Sequence, residues 1–260
     1  MHLDFWWKHA RLPLVLFLLL AILLGTTSID VGIARTFFFD AVQTRWIGAG
    51  NAWIEQGIHT GGRWTVRALV ALALVVWARG INPSWRDLQR PAGYFALSTV
   101  LALGLVGLLK QLTHVHCPWD LTLFGGRYSY AHLFAARPDR LHAGHCFPAA
   151  HASSGYALFA LYFVFRERSA ALARWGLMVG ICVGLVFGLA QQARGAHFAS
   201  HDVWSAFVCW MVALTTYTWA FDAQVWNRTS ESSERAQSGP WPREASGAAR
   251  QLVSGSSVDL

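Results

Sequence analysis

Charge is what this sequence has least of. Asp, Glu, Lys and Arg make up 13% of its 260 residues, about half the roughly 25% of an ordinary soluble domain. That excludes a large soluble core clothed in a polar surface. Cysteine is scarce too, and four residues exclude a disulfide-rich scaffold. Cys182 and Cys209 lie inside apolar runs and read as inert core residues. Proline is missing from the interiors of those runs, so unbroken helices are expected. No small-x-small pattern follows the first run in GTTSID, which reads against a cleaved signal peptide and for a retained first span. The net charge of +7 is spread as single and paired cations between apolar runs, which flank membrane spans and give no nucleic-acid footprint.

What the chain does have is hydrophobic length. Residues of apolar type make up 54%, with 14 Trp and 16 Phe, and several runs reach the roughly 18 to 20 residues that cross a bilayer. The reading is an all-α polytopic membrane protein. Six spans are expected, at about Leu12–Ser28, Trp64–Ala78, Gly93–Leu112, Phe147–Phe165, Leu172–Ala190 and Val203–Phe221. The fifth carries Gly176, Gly180, Gly184 and Gly188 on one face, a stripe that lets another helix come close. Lys8 and Arg11, then Arg79, Arg86 and Arg90, then Arg166, Arg168 and Arg174 share one side of such a bundle, which the positive-inside rule makes cytoplasmic. The membrane domain covers residues 1–222, with outer cap segments at about 29–62 and 113–146. The first cap segment reads as a short amphipathic helix in the interface. Residues 223–260, rich in Ser, Gly and Ala, read as a disordered cytoplasmic tail.

Nine of the eleven histidines (His59, His114, His116, His132, His142, His145, His151, His197, His201) fall on the outer side, so the active site is expected on the outer face of the bundle. Three clusters there carry chemistry. Lys110–Asp120 reads KQLTHVHCPWD at the outer end of the third span. Cys146–Ser154 reads CFPAAHASS, where a polar loop turns into an apolar helix; with Pro148 at an early helical position, His151 lies about one turn inside. Gln191–Ser205 reads QQARGAHFASHDVWS; Arg194 supplies a planar fork suited to phosphate, His197 and His201 share a face if that turn is helical, and Asp202 can orient an imidazole. Such groups at a membrane boundary have a desolvation cost that favours a functional reading. A rival reading takes the outer histidines as ligands of a metal-binding or transport module. Lys110 and Arg194 beside such a site would oppose a cation.

In order and spacing these clusters resemble the signature of the type 2 phosphatidic acid phosphatase superfamily, K-x6-R-P, P-S-G-H and S-R-x5-H-x3-D. The resemblance covers roughly Leu109 to Ala206. Lys110 and Pro118 match the first motif, with Cys117 where Arg is expected. Pro148 and His151 match the second, with Ala149 and Ala150 for Ser and Gly. In the third, Gly195-Ala196-His197 fits G-x-H, Gln191 falls on the arginine position and His201 on the acid position, with Arg194 one helical turn after Gln191 and Asp202 one residue beyond His201. A second register makes His201 the nucleophile, seven residues after Arg194.

The resemblance implies a membrane lipid phosphatase working through a phosphohistidine, with no metal and no other cofactor. His197 would be the nucleophile and His151 the general acid. Lys110 and Arg194 would bind phosphate, and His201 or Asp202 would hold the nucleophile's other ring nitrogen. The arginine lost at Cys117 either weakens the site or is covered by Arg127, Arg137 or Arg140 from the loop. The expected partners are the membrane and a lipid phosphate (lipid A, undecaprenyl pyrophosphate or a phosphatidyl phosphate), and no nucleic acid. The expected location is the bacterial inner membrane, with the site facing the periplasm. Transfer of phosphate to a second lipid would use the same residues. On the oxidising side, Cys117 and Cys146 are expected to form a disulfide tying the first motif to the second.

Overall fold

The structure, a computed structural model, describes residues 2–133 and 144–237, with side chains from residue 3 through residue 221. His142, Arg137 and Arg140 therefore lie outside the described residues. The chain divides into two compact units, Met1–Ala220 and Phe221–Leu260. The first holds helices α1 (His2–Thr26), α2 (Ile29–Ile33), α3 (Gly62–Arg79), α4 (Arg86–Thr113), α5 (Ala150–Tyr156), α6 (Ala160–Arg166) and α7 (Ala170–Ala193), and most of the membrane-length part of α8 (Ala199–Gln237). The described sheet is one antiparallel pair, β1 (Phe39–Asp40) with β2 (Arg45–Trp46). The tail was expected from residue 223; α8 continues to Gln237, and residues 238–260 lie outside the described residues.

Among the described residues five helical stretches are long and apolar enough to cross a membrane: Leu3–Thr26, Trp53–Arg79, Pro83–Asp120, Ala170–Ala193 and Ala199–Phe221. Leu12, Leu19 and Ile22 on α1 and Leu72 on α3 stand more than half exposed, as side chains do when lipid is their solvent. The first span is longer than its apolar run, because α1 starts at His2 and takes Pro13 into its interior. That corrects the expectation of proline-free helix interiors.

The expected fourth span differs most from its reading. Pro148 precedes the helix, joined to Phe147 by a cis peptide bond, and α5 begins only at Ala150. A 3-10 turn over Ala157–Phe159 links α5 to α6. The resulting stretch, Ala150–Arg166, is about 25 Å long at 1.5 Å per residue, short of a hydrocarbon core of about 30 Å. Every residue from His151 to Ala160 is buried, so that part of the stretch is surrounded by protein.

The glycine stripe explains how it gets there. A Cβ at Gly176 would stand 2.8 Å from the Leu161 backbone, one at Gly180 would stand 2.6 Å from Phe159 Cδ1, and one at Gly184 would fall on the Tyr156 ring. A Cβ at Gly155 would stand 2.5 Å from the Gly184 nitrogen, so the two backbones touch directly. Close packing was the sequence expectation, and α5–α6 is the partner it admits. On the other side α1 is held to α8 by Phe17 stacked on Phe207 at 3.9 Å. Trp210 Nε1 donates to the His9 carbonyl at 2.9 Å.

The first cap segment is more than one interfacial helix. It runs through α2, a π-helical turn at Ala34–Phe38, the β1–β2 hairpin and a longer π-helical stretch at Trp53–Gly61. Val31, Ala34 and Trp46 from it pack with Leu121 and Phe124 of the second cap segment and with Phe198. The segment therefore holds several short elements where one helix was expected, and some of its aromatics pack on the other loop while Phe37 and Trp53 stay exposed.

Candidate active site

The three sequence clusters meet, and backbone hydrogen bonds hold them pairwise. His114, in the left-handed region at φ 52°, ends α4. Just beyond, the first cluster accepts from the second at Val115 O (Cys146 N, 2.9 Å). Thr113 Oγ1 returns a bond to Phe147 O at 2.6 Å, and His145 Nδ1 lies 3.4 Å from Lys110 O. Cys117 and Cys146 form the expected disulfide across the same pair, with Cα atoms 5.1 Å apart. The second cluster reaches the third where Ala149 N donates to His201 O at 3.4 Å. Ser205 Oγ bridges both carbonyls, Ala149 O at 3.0 Å and His201 O at 2.9 Å. The first and third join through Trp119 N to Gly195 O at 2.9 Å.

The third cluster owes its shape to how α7 ends. Gly195 N donates to Gln192 O and Ala196 N to Gln191 O, both at 2.9 Å. This is a Schellman ending, which asks for a left-handed residue after the cap. Gly195 supplies it at φ +76°, and a Cβ there would fall on the Trp46 indole. The reversal sets His197 just ahead of α8 and His201 in its first turn, so the two do not share a helical face as expected. Their rings meet all the same, Nδ1 to Nδ1 at 3.3 Å.

His197 is buried. Burial holds its imidazole well below the ordinary histidine range, charge on His201, Lys110 and His151 pushes the same way, and a hydrogen bond to the Cys146 backbone opposes them. His151 is buried between two rings, stacked on Phe187 at 4.6 Å and tilted against His59 at 4.7 Å. Neither of its ring nitrogens has a hydrogen-bond partner of good geometry. Arg194 Nη1 donates to Gln191 Oε1 at 3.1 Å, and Nη2 stands 3.7 Å from Glu55 Oε1.

Asp202 faces away from the histidine pair. Its carboxylate accepts from Gln192 Nε2 at 2.5 Å and lies against Gly188 of α7, while the side chain that meets the His197 ring at Nδ1 is His201. Of the cations expected to stand in for the arginine lost at Cys117, Arg127 is held by its backbone to Asp120 O, and the other two lie outside the described residues. His116 is stacked on Tyr128 at 3.9 Å in the cap. Among the described residues no three His, Cys, Asp or Glu side chains form a group that could hold a metal ion.

Three residues at or near the site were not among the site residues expected from sequence. Asp30 accepts from Ser200 N at 3.1 Å and from Ser200 Oγ at 2.5 Å, capping α8 from 170 residues away. Burial pushes its carboxyl above the usual range although these bonds oppose the shift. No local pattern could have revealed it. Glu55 and His59 carried a signal, one helical turn apart in a polar stretch leading into an apolar span, but it pointed equally to a solvated face.

A family model described as PAP2 superfamily matches residues 91–224. A search of curated proteins returned no match, nor did a search of solved structures.

Proposed function

The chain belongs to the PAP2 superfamily, a family of phosphatases, and from that premise we propose that it is a membrane lipid phosphatase with His197 as nucleophile. Nδ1 of His197 faces His201 at 3.3 Å, and this contact is the observation that carries the reading. It engages Nδ1, and in this reading Nε2 is the nitrogen that attacks phosphorus. It also favours the register in which His201 stands at the acid position, fixing the tautomer of its neighbour. A nucleophile kept neutral by burial is ready to attack without first losing a proton.

In the first step the His197 Nε2 lone pair forms the N–P bond as the ester or anhydride P–O bond breaks. Lys110 and Arg194 neutralise the non-bridging oxygens, the electrostatic contribution that dominates such transfers. His151 gives a proton to the leaving oxygen; the approaching phosphate, an anion, favours the charged imidazolium that this requires. In the second step water attacks phosphorus, His151 takes its proton, and the N–P bond breaks to release inorganic phosphate and restore His197.

The substrate in this reading is a lipid phosphate or pyrophosphate whose tail stays in the bilayer. Five membrane-length helices and a site at their ends support that class. Counting α5–α6 as a sixth, shorter span lets the two cap segments share one face, read as the periplasmic face of a bacterial inner membrane.

Phosphate release from lipid A, an isoprenyl pyrophosphate and phosphatidic acid by protein purified in detergent tests the reading. His197→Ala is expected to abolish turnover, by a factor of about a thousand or more, and His201→Ala to lower it by about ten- to a hundredfold. Full activity in His197→Ala together with an inactive His201→Ala would move the nucleophile to His201. Activity retained in both would end the phosphohistidine proposal.

A further inference from the structure

The π-helical stretch Trp53–Gly61 reaches the same residues that the proposed reaction uses. Asn51 starts it, its Oδ1 accepting from Trp53 N at 3.0 Å and Ile54 N at 3.3 Å. One turn on, Glu55 Oε1 stands 3.7 Å from Arg194 Nη2. A further turn brings the His59 ring to 4.7 Å from that of His151. Gly62 follows, packed so closely on Phe187 that a Cβ would overlap its ring, and Phe187 is the ring on which His151 stacks. One face of one stretch therefore touches both the phosphate-binding candidate and the acid candidate of the site.

We propose that Glu55 is a built-in competitor for the phosphate site, a carboxylate that occupies the Arg194 guanidinium until a phosphate displaces it. The inference rests on the reading of Arg194 as a phosphate ligand and names what that ligand does when no substrate is there. A carboxylate and a phosphate present the same chemistry to a guanidinium, anionic oxygens able to accept from its N–H fork. Arg194 is one-fifth exposed and Glu55 more than two-fifths, and such a water-accessible pair is weak enough to exchange. Gln191 Oε1, on the other side of the guanidinium at 3.1 Å, is neutral and holds the fork in place during the exchange. Where Cys117 leaves the first motif without its arginine, the remaining guanidinium carries more of the phosphate charge, so occupying it has a larger effect on anion affinity.

The stretch also explains why displacement would be selective. Glu55 and His59 sit one turn apart on the same helical stretch, so a phosphate that displaces the carboxylate enters between that stretch and Arg194, beside His151. A group bound elsewhere on the outer face gains nothing from the exchange.

Inorganic phosphate is the probe, titrated against the full-length protein in detergent while the rise in thermal unfolding midpoint is followed. This reports binding without turnover. Glu55→Gln keeps size and removes the charge, and it is expected to bind phosphate about two- to fivefold more tightly, the range that loss of an exposed ion pair allows. In an Arg194→Ala background the same substitution is expected to change nothing, because the competitor has lost its site. Unchanged or weaker phosphate binding in Glu55→Gln overturns the proposal, as does an equal gain with Arg194→Ala, which would be a general charge effect. A protein that shows the Glu55 effect yet releases no phosphate from any lipid keeps this inference and loses the phosphatase reading. Turnover abolished by His197→Ala with no Glu55 effect does the reverse.

Discussion

Gly195→Ala tests whether the end of α7 is what delivers His197. The residue is left-handed at φ +76°, and its Cβ direction is closed by the Trp46 indole. A left-handed alanine costs about 1–2 kcal/mol, and forcing a methyl into a filled space adds about 1–3 kcal/mol. Trp46 cannot turn aside easily, since it packs on Phe39 at 5.3 Å and Phe124 at 4.8 Å. The sum is about 2–5 kcal/mol of lost stability, measurable as denaturant unfolding in mixed micelles. Trp46→Leu separates the two contributions, because in that background the clash is relieved and only the left-handed strain of about 1–2 kcal/mol is left. Two residues beyond the strained turn stands His197, and a displacement of the order of 1 Å at a reacting group costs about a hundredfold in rate. Phosphate release by the folded fraction of Gly195→Ala should fall by that order. A stability change within about 0.5 kcal/mol of wild type, or the same cost in both backgrounds, would refute the reasoning.

Two further outcomes follow from the site. Cys117→Ser with Cys146→Ser opens a loop of 29 residues' separation and should cost about 2–4 kcal/mol in unfolding; an oxidised wild type with the gel mobility of its reduced, alkylated form would count against the bond. His197 is held below the ordinary value of 6.5, so kcat/KM should persist as pH falls through 6.5 and turn down only below it. By linkage, the unfolded chain takes up a proton that folded His197 refuses, so this residue's contribution to stability is present above pH 6.5 and declines as pH falls beneath it. His197→Asn should flatten that decline in unfolding measured across pH, and an acid limb at or above 6.5 in the wild-type rate profile would show an imidazole open to water.

Lys110, His151 and His197 were legible as candidates because each lies where an apolar run meets a polar loop, and polar side chains at such boundaries are costly unless used. The glycine stripe on α7 was legible because periodicity alone puts its members on one face. The break in the expected fourth span was not. Phe147–Phe165 is apolar enough to read as a lipid-facing helix, but Ala152, Ala157 and Ala160 are small so that α4, α7 and α8 can close around them. A buried helix and a membrane span have the same hydropathy. Asp30 was illegible for a different reason, since the backbone nitrogen it caps belongs to Ser200 and long-range capping leaves no trace in local spacing. Asp202 misled because adjacency to His201 suggested an imidazole partner, whereas successive helical residues point some 100° apart and its carboxylate turns to Gln192.

Cys117 joins these threads. Read by motif, it is a lost phosphate ligand. In the structure its sulfur is bonded to Cys146, beside the Val115 carbonyl that accepts from the Cys146 nitrogen. The position gives a crosslink between two motif backbones where the family pattern gives a charge. Fixing those backbones holds Lys110 and His151 relative to each other. That orientation has to do more if fewer cations bind the phosphate, because preorganised charge stabilises a transition state only as well as it is aimed. In the proposed site the guanidinium contribution then falls to Arg194, whose resting partner is Glu55. Reducing the disulfide should therefore impair turnover more than phosphate binding, since Arg194 is held by the end of α7 and by Gln191, and the crosslink reaches it only indirectly, through the bond from Trp119 N to Gly195 O. Equal losses in both would mean that the crosslink supports the whole cap, and that the missing arginine is compensated elsewhere.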